Sequence, residues 1–295
     1  MIKVRKAVVP AAGLGTRHFP ASHAVKKELF PVVGPDGIAR ALLHYHLLEL
    51  TAAGIEEICI IVQPGDDKPI RDYLIGPDHT YLSRLAKYPA LLAEAKQMQQ
   101  LSERVTFAVQ HTQDGYGHAV YQTKSFANSE MVLLCLGDHL LRGNPSPATE
   151  LAHMAKISNG KSVSAVNKIG PGELKGFGTI AGQRRKDNPR LIDVSLIIEK
   201  PAVDIARKQL RVDGLANDEF LGWFGMHLLA PSIYDVLEEM IASDTRDNGE
   251  FQLTRAQEIQ RQREGYLALE MTTAKRYDFG VPDDYLASLA AFRQG

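Results

Sequence analysis

The sequence predicts an α/β fold, a mixed but mainly parallel central sheet flanked by helices. Three observations carry that expectation. Short apolar runs recur, as in Ala7-Val8-Val9, Ile58-Cys59-Ile60-Ile61-Val62 and Met131-Val132-Leu133-Leu134-Cys135-Leu136, which is how buried parallel strands read. Between the first two runs, residues 41–50 place apolar side chains at helical spacing, so the chain opens as strand, helix, parallel strand. Finally, Gly13, Gln110, Asp138, Glu199 and Asp278 each follow or end an apolar run, and open α/β sheets bind ligands at the carboxyl ends of their strands.

Taken in order, the first strand is bounded by Pro10 and leads into Ala11-Ala12-Gly13-Leu14-Gly15-Thr16-Arg17. Small residues let the backbone approach a ligand, and glycine permits the dihedrals of a tight anion-binding turn. Arg17 and Lys27 add fixed positive charge, so the stretch offers a triphosphate both N–H donors and cations. It is not the dinucleotide fingerprint, because His18 stands where G-x-G-x-x-G needs its third glycine. It is not a P-loop, because no G-K-[ST] closes it. The helix over 41–50 stops at Gly54, and the strand over 58–62 follows. Residues 67–74 and 82–101 read as helices and 105–109 as a strand ending in Gln110. A loop to Gly115-Tyr116-Gly117-His118-Ala119 starts a helix toward Phe126. The strand over 131–136 ends in Gly137-Asp138-His139. A helix over 147–158, a strand over 162–167 and a hairpin tip over 184–190 come next. The return strand, 191–199, ends in Glu199-Lys200-Pro201. Residues 201–218 read as polar and mobile. A strand over 220–229, a helix begun by Pro231, a helix over 253–264, a strand over 267–271 and a helix after Pro282 complete the chain.

Composition narrows the function. With 34 basic and 35 acidic residues and a formal net charge of -1, nothing favours a nucleic-acid or membrane-surface partner. Cys59 and Cys135 lie inside apolar strands and read as core residues of a reducing compartment. No apolar run is long enough to span a bilayer. The N-terminus runs directly into the first strand, leaving no room for a signal peptide, so a cytoplasmic protein is expected. His18, His23, His44, His46 and His139 form no metal-ligand spacing with cysteine, and none is assigned to zinc.

The motif G-x-G-T-R, then Pro20, then K-E-x-x-P at Lys27 to Pro31, resembles the sugar-1-phosphate nucleotidyltransferases. Later motifs narrow the resemblance to the bacterial UTP–glucose-1-phosphate uridylyltransferase branch. Gln110 with Gly115-Tyr116-Gly117-His118-Ala119 resembles its Q…G-L-G-H-A. Glu199-Lys200-Pro201 resembles its E-K-P, and Gly249-Glu250-Phe251-Gln252-Leu253-Thr254 its G-E-I-Q-L-T. The order is kept over nearly the whole chain. The resemblance implies a Rossmann-like nucleotidyltransferase fold. One domain over 1–295 is expected, since no repeat or low-complexity linker divides the chain. About 1–140 would bind the nucleotide and about 141–295 the sugar phosphate. The implied reaction moves a uridylyl group from UTP to a sugar 1-phosphate, above all glucose 1-phosphate. A homodimer or homotetramer is implied too. Within the site, Ala11, Ala12, Gly13, Gly15 and Thr16 would bind the nucleotide. Arg17 would hold the β- and γ-phosphates, Lys27 would sit at the α-phosphate or between the two phosphates, and Asp138 and Asp278 would bind Mg²⁺. Gly178 would contact the sugar through its backbone, Glu199 its hydroxyls, and Lys200 its phosphate.

The residues carry part of this by themselves. A carboxylate at the end of a buried strand is costly unless a cation pairs with it, and Mg²⁺ takes one or two carboxylates plus phosphate oxygens. The Gln110 amide can read both N3–H and a carbonyl of uracil or thymine, with Gly115 letting backbone reach the base. Neighbouring strand residues face opposite ways, so Glu199 and Lys200 can share a site only where the strand ends. His118 is expected to cap its helix, and Gly249 to Thr254 to form a helix start. Two departures stand out: Gly137 where the family usually has proline, and Lys26 where it has proline before K-E. A thymidylyltransferase, a uridylyltransferase for another sugar, and a silent nucleotide-sugar-binding paralogue remain open.

Overall fold

The computed structural model describes residues 3–295. Its strands are β1 (Lys6–Pro10), β2 (Pro31–Val33), β3 (Ala39–Ala41), β4 (Glu57–Val62), β5 (Val105–Val109), β6 (Val132–Cys135) and β7 (His139–Arg142), followed by β8 (Val163–Ile169), β9 (Thr179–Arg184), β10 (Leu191–Ile198), β11 (Phe220–Leu229), β12 (Leu267–Glu270) and β13 (Lys275–Asp278). Nine of them form one sheet in the order β5-β4-β1-β6-β11-β8-β12-β10-β9. The sheet is mixed. Its first four strands are parallel, as are β8 and β12. Elsewhere β11 runs antiparallel to β6 and β8, and β10 antiparallel to β12 and β9.

Burial on both faces explains the unbroken apolar runs. Ala7 and Val9 of β1 pack with Leu43, Leu47 and Leu50 of the helix Leu42–Ala52. Val8, between them, faces the other way, into the cluster of Ile233, Leu237 and Met240 from the helix Ser232–Ala242. Alternate side chains thus enter opposite helical layers.

Three expectations change. The helix over 82–101 is two, His79–Leu85 and Pro89–Ser102, with Tyr88 at φ -126, ψ 84 between them. Pro89 drives its predecessor out of helical geometry. The helix expected to run to Phe126 is likewise two, Tyr116–Tyr121 and Lys124–Ala127. The segment expected to be mobile holds the helix Val203–Gln209, and Ala206 and Leu210 bury it against Phe220. The antiparallel pairs β2–β3 and β7–β13 were not anticipated. Behind them the C-terminal helix Pro282–Gln294 packs Phe292 against Val32, Leu42, Leu140, Tyr277 and Phe279. No helix among the described residues is long and apolar enough to cross a membrane.

Candidate active site

The anion-binding turn begins one residue later than expected. The Ala11 N–H donates to Ile61 O at 2.7 Å, finishing the sheet, so it is not free for a ligand. From Ala12 to Gly15 no backbone N–H finds an acceptor among the described residues. Gly15 sits at φ 66, where a side chain is strained, and no atom lies within 4 Å of where a Cβ of Gly13 would stand. A row of free donors on such a bend is an anion nest. Thr16 and Arg17 are exposed beside it. His18 Nε2 lies 2.9 Å from Phe279 O, tying the turn to the segment that carries Asp278. Lys26 does not join the phosphate site: its Nζ pairs with Asp66 at 2.7 Å and reaches Gly13 O at 3.4 Å.

Asp138 follows β6, and Asp278 ends β13. The β7–β13 register sets His139 directly opposite Asp278. The imidazole stands between the two carboxylates, Nδ1 3.2 Å from Asp138 Oδ1 and Nε2 3.0 Å from Asp278 Oδ2. Lys27 Nζ donates to Asp138 Oδ2 at 2.8 Å, and the Gly280 N–H to Asp278 Oδ1 at 2.7 Å. Burial opposes charge on His139, but the Asp138 and Asp278 carboxylates beside its two nitrogens outweigh it and raise its pKa to about 9. Burial likewise disfavours ionised Asp138, yet His139 and Lys27 hold it well below the usual carboxylate range. Glu28 is fully buried, neither of its oxygens has a hydrogen-bond partner among the described residues, and burial lifts its pKa to about 7.

Two carboxylates converging from distant segments suit a hard divalent cation that also takes phosphate oxygens. Two of the four carboxylate oxygens have donors here, Lys27 on Asp138 and the Gly280 N–H on Asp278, and the imidazole stands within ion-pair distance of the other two and fills the space between them. No group of three or more His, Cys, Asp or Glu among the described residues is arranged to hold a metal. The two carboxylates have the donor chemistry that Mg²⁺ takes, and His139 stands where such an ion would sit.

On the other side of β1, Gln110 Nε2 donates to Gly115 O at 3.2 Å and lies 3.2 Å from His118 Nδ1. The amide nitrogen is therefore engaged, and Oε1 alone is left to read a base. His118 does not cap its helix, which starts at Gly115 without a side-chain cap; it orients Gln110 instead. Gly115 is required by packing, since a Cβ there would lie 2.8 Å from Glu250 Cβ and 2.9 Å from Phe251 O. The Gly117 N–H donates to Phe251 O at 2.7 Å, and Phe251 N–H to Asp114 O at 2.9 Å. The Gly249 to Thr254 segment thus closes the base loop besides starting a helix.

Beyond His139 lies a cavity of about 150 Å³. Lys200 adopts φ 44, in the left-handed region. That turn, just past β10, lets Glu199 and Lys200 line the cavity together, a backbone strain of the kind found at functional sites. Thr254 Oγ1 donates to Glu199 Oε2 at 2.7 Å, a tether the sequence did not reveal. Gly178 is also demanded by packing: a Cβ would stand 2.4 Å from Trp223 Nε1. Its carbonyl accepts the Trp223 N–H at 2.9 Å. Trp223, His227, Tyr116 and Arg276 line the same cavity and were not anticipated. Trp223 and His227 lie in the strand expected over 220–229 and read as core, Tyr116 lies in a loop motif read for its glycines, and Arg276 lies in a strand that was not anticipated.

Comparison with known proteins gives the family and the fold. The family described as nucleotidyl transferase matches residues 6–294. A Staphylococcus saprophyticus protein named UTP–glucose-1-phosphate uridylyltransferase 1 is 27% identical over 291 residues, spanning 99% of this chain and 93% of the relative. A Mycoplasma pneumoniae protein named UTP–glucose-1-phosphate uridylyltransferase is 29% identical over 256 residues, 86% of this chain and 80% of the relative. Apo UDP-glucose pyrophosphorylase shares the fold with a TM-score of 0.81 at 23% identity, over 98% of both chains. The Acinetobacter baumannii UDP-glucose pyrophosphorylase superposes with a TM-score of 0.77 at 25% identity, over 98% of this chain and 93% of that one. On these matches and this site, the chain is a nucleotidyltransferase belonging to the nucleotidyl transferase family.

Proposed function

We propose that the protein transfers the uridylyl group of UTP to glucose 1-phosphate, giving UDP-glucose and pyrophosphate. One observation carries this reading. His139 touches Asp138 and Asp278, Asp138 holds Lys27 beside the nest, and His139 also lines the sugar-side cavity. A triphosphate site and a sugar-phosphate site therefore meet at one charged centre. In this reading residues 1–140 bind the nucleotide and 141–295 the sugar phosphate, within one domain. Relatives named for this reaction support the choice of substrates.

The sugar-phosphate oxygen attacks the α-phosphorus in line with the departing pyrophosphate, without a covalent enzyme intermediate. The barrier is repulsion between polyanions and charge spreading at phosphorus, so positioning and electrostatic stabilisation are the chemistry required. Free N–H groups from Ala12 to Gly15, with Thr16, hold the phosphates. Arg17 stabilises the leaving pyrophosphate. Lys27, fixed by Asp138, neutralises charge at the α-phosphate. Mg²⁺ held by Asp138 and Asp278 would supply further charge at the reacting oxygens. Gln110 Oε1 accepts the uracil N3–H; thymine offers the same donor. Lys200 holds the sugar phosphate and Glu199 a sugar hydroxyl, with the Gly178 backbone alongside. Two free, buried cysteines accord with a cytoplasmic enzyme, and a homodimer or homotetramer is part of the same proposal.

Pyrophosphate release with Mg²⁺, comparing UTP with dTTP against a panel of sugar 1-phosphates, tests the reading. UTP with glucose 1-phosphate should dominate, and Lys27→Ala should cost about 10²–10³-fold in kcat, the usual loss of one preorganised charge donor. Near-normal turnover by Lys27→Ala would remove Lys27 from the chemistry. Dominance of dTTP or another sugar would replace the substrate while keeping the reaction class. Absence of turnover with retained UDP-glucose binding would leave a silent paralogue.

A further inference from the structure

The floor of the sugar-side cavity carries two groups that the reaction as described does not use. Trp223 is the one tryptophan of the sequence. It is 7% exposed, and its Nε1–H has no hydrogen-bond partner among the described residues. An unsatisfied buried donor is a cost that a bound acceptor removes. His227, 3% exposed, packs edge to face against it with ring centroids 5.5 Å apart. The pairing of β11 with β8 is irregular between Trp223 and His227, and Gly225 between them sits at φ 99. This bulge lets both rings line the cavity beside Glu199 and Lys200.

A buried network fixes the proton on His227. Gln257 Nε2 donates to Tyr266 Oη at 2.9 Å and, being a donor only, lies 3.1 Å from a His227 Nδ1 that carries no proton. Having accepted from Gln257, Tyr266 donates to Ser164 Oγ at 2.8 Å, and Ser164 in turn donates to His227 Nδ1 at 2.6 Å. His227 Nδ1 is therefore an acceptor, so the ring proton sits on Nε2. The imidazole has no charged partner in this network and remains neutral.

We propose that Trp223 Nε1–H and His227 Nε2–H form a donor pair that reads one hydroxyl oxygen of a hexose 1-phosphate, the hydroxyl proton going to Glu199. The proposal rests on the sugar-phosphate reading given above. The hydrogen-bond count closes. A hydroxyl oxygen has two lone pairs for two donors and one proton for a carboxylate, and Thr254 already holds the other Glu199 oxygen. A hexose lacking this hydroxyl leaves both donors, and the Glu199 oxygen not held by Thr254, without that hydrogen bond. One bearing an ammonium there sets positive charge against two N–H donors. Discrimination of that kind is strong because it leaves buried polar groups unsatisfied.

Because Trp223 is the sole tryptophan, the emission of the full-length protein reports this cavity directly. Titration with glucose 1-phosphate and with UDP-glucose should give a saturable change, and titration with UMP none. Trp223→Phe keeps the apolar ring and removes the donor. It should raise KM for glucose 1-phosphate by about tenfold, the loss expected of one hydrogen bond, with KM for UTP unchanged. It should also weaken the preference for glucose 1-phosphate over its deoxy analogues. Wild-type turnover of glucose 1-phosphate with an unaltered KM in Trp223→Phe overturns the donor pair and leaves the enzyme reading standing. A wild type that neither turns over nor changes emission with any hexose 1-phosphate overturns both.

Discussion

An imidazole held between two carboxylates, its pKa raised to about 9, is a cation that the chain supplies itself, and His139 occupies the ground that the proposed divalent ion would need. Its nitrogens engage Asp138 and Asp278 at 3.2 and 3.0 Å, so a metal must displace the ring. His139→Ala should bind Mn²⁺ several-fold more tightly than wild type in the absence of nucleotide, as read by electron paramagnetic resonance. Weaker binding would make His139 a ligand instead. His227 shows the opposite electrostatic situation. Burial alone pushes its pKa down to about 3. Above pH 6.5 neither the folded nor the unfolded chain protonates it, and its stability contribution is intact. As pH falls from 6.5 toward 3, the unfolded chain binds a proton that the folded one refuses, so stability is lost. The dependence can reach about 1.4 kcal/mol per pH unit. Urea-unfolding free energies of His227→Gln should therefore fall less steeply than wild type between pH 6.5 and 5. Parallel curves would show that the imidazole does not remain neutral in the fold.

At the scale of elements, the site depends on how closely strand ends approach. Gly137 stands where the resembling family usually has proline, and a Cβ there would lie 2.3 Å from Pro10 O. The end of β6 thus passes the end of β1 at a distance only glycine tolerates, and this contact sets Asp138 against the nest. Gly137→Ala must part the two strand ends. A loss of about 1–3 kcal/mol, as for overpacking generally, and a raised KM for UTP are expected from denaturant titration and initial rates. Wild-type values for both would show that the loop yields freely. The pair β7–β13 works in the same way. Its register, His139 opposite Asp278, places the imidazole between the aspartates.

At the scale of the whole molecule, the last helix controls a residue at the centre. The helix Pro282–Gln294 buries Phe292 against Tyr277 and Phe279, the neighbours of Asp278. Phe292→Ala should cost about 3–5 kcal/mol and lower kcat beyond what residual unfolding explains, because Asp278 loses its backing. Thermal unfolding and rates measured well below the transition separate the two effects. Unchanged kcat with lowered stability would confine the helix to a structural role.

Local chemistry alone determined much of this protein. Unbroken apolar runs located the buried strands β1, β4 and β6, because burial on both faces removes alternation; the apolar-rich runs of β11 and of the partly buried edge strand β5 were legible too. Gly13, Gly15 and Arg17 in their short segment marked the turn proposed to hold the phosphates, since a nest is built from contiguous backbone. Only the tertiary structure decided the rest. The mixed pairing of the C-terminal strands, the three-residue and four-residue strands β2, β3, β7 and β13, and the division of the helix at Pro89 depend on partners distant in sequence. So do the contacts that define the proposed reacting centre. Lys27 meets Asp138 across 111 positions, and His139 meets Asp278 through a register no local pattern encodes. The roles of Thr254, Trp223 and His227 were hidden for the same reason. In sequence each is an ordinary strand or helix residue, and only folding turns it toward the sugar-side cavity.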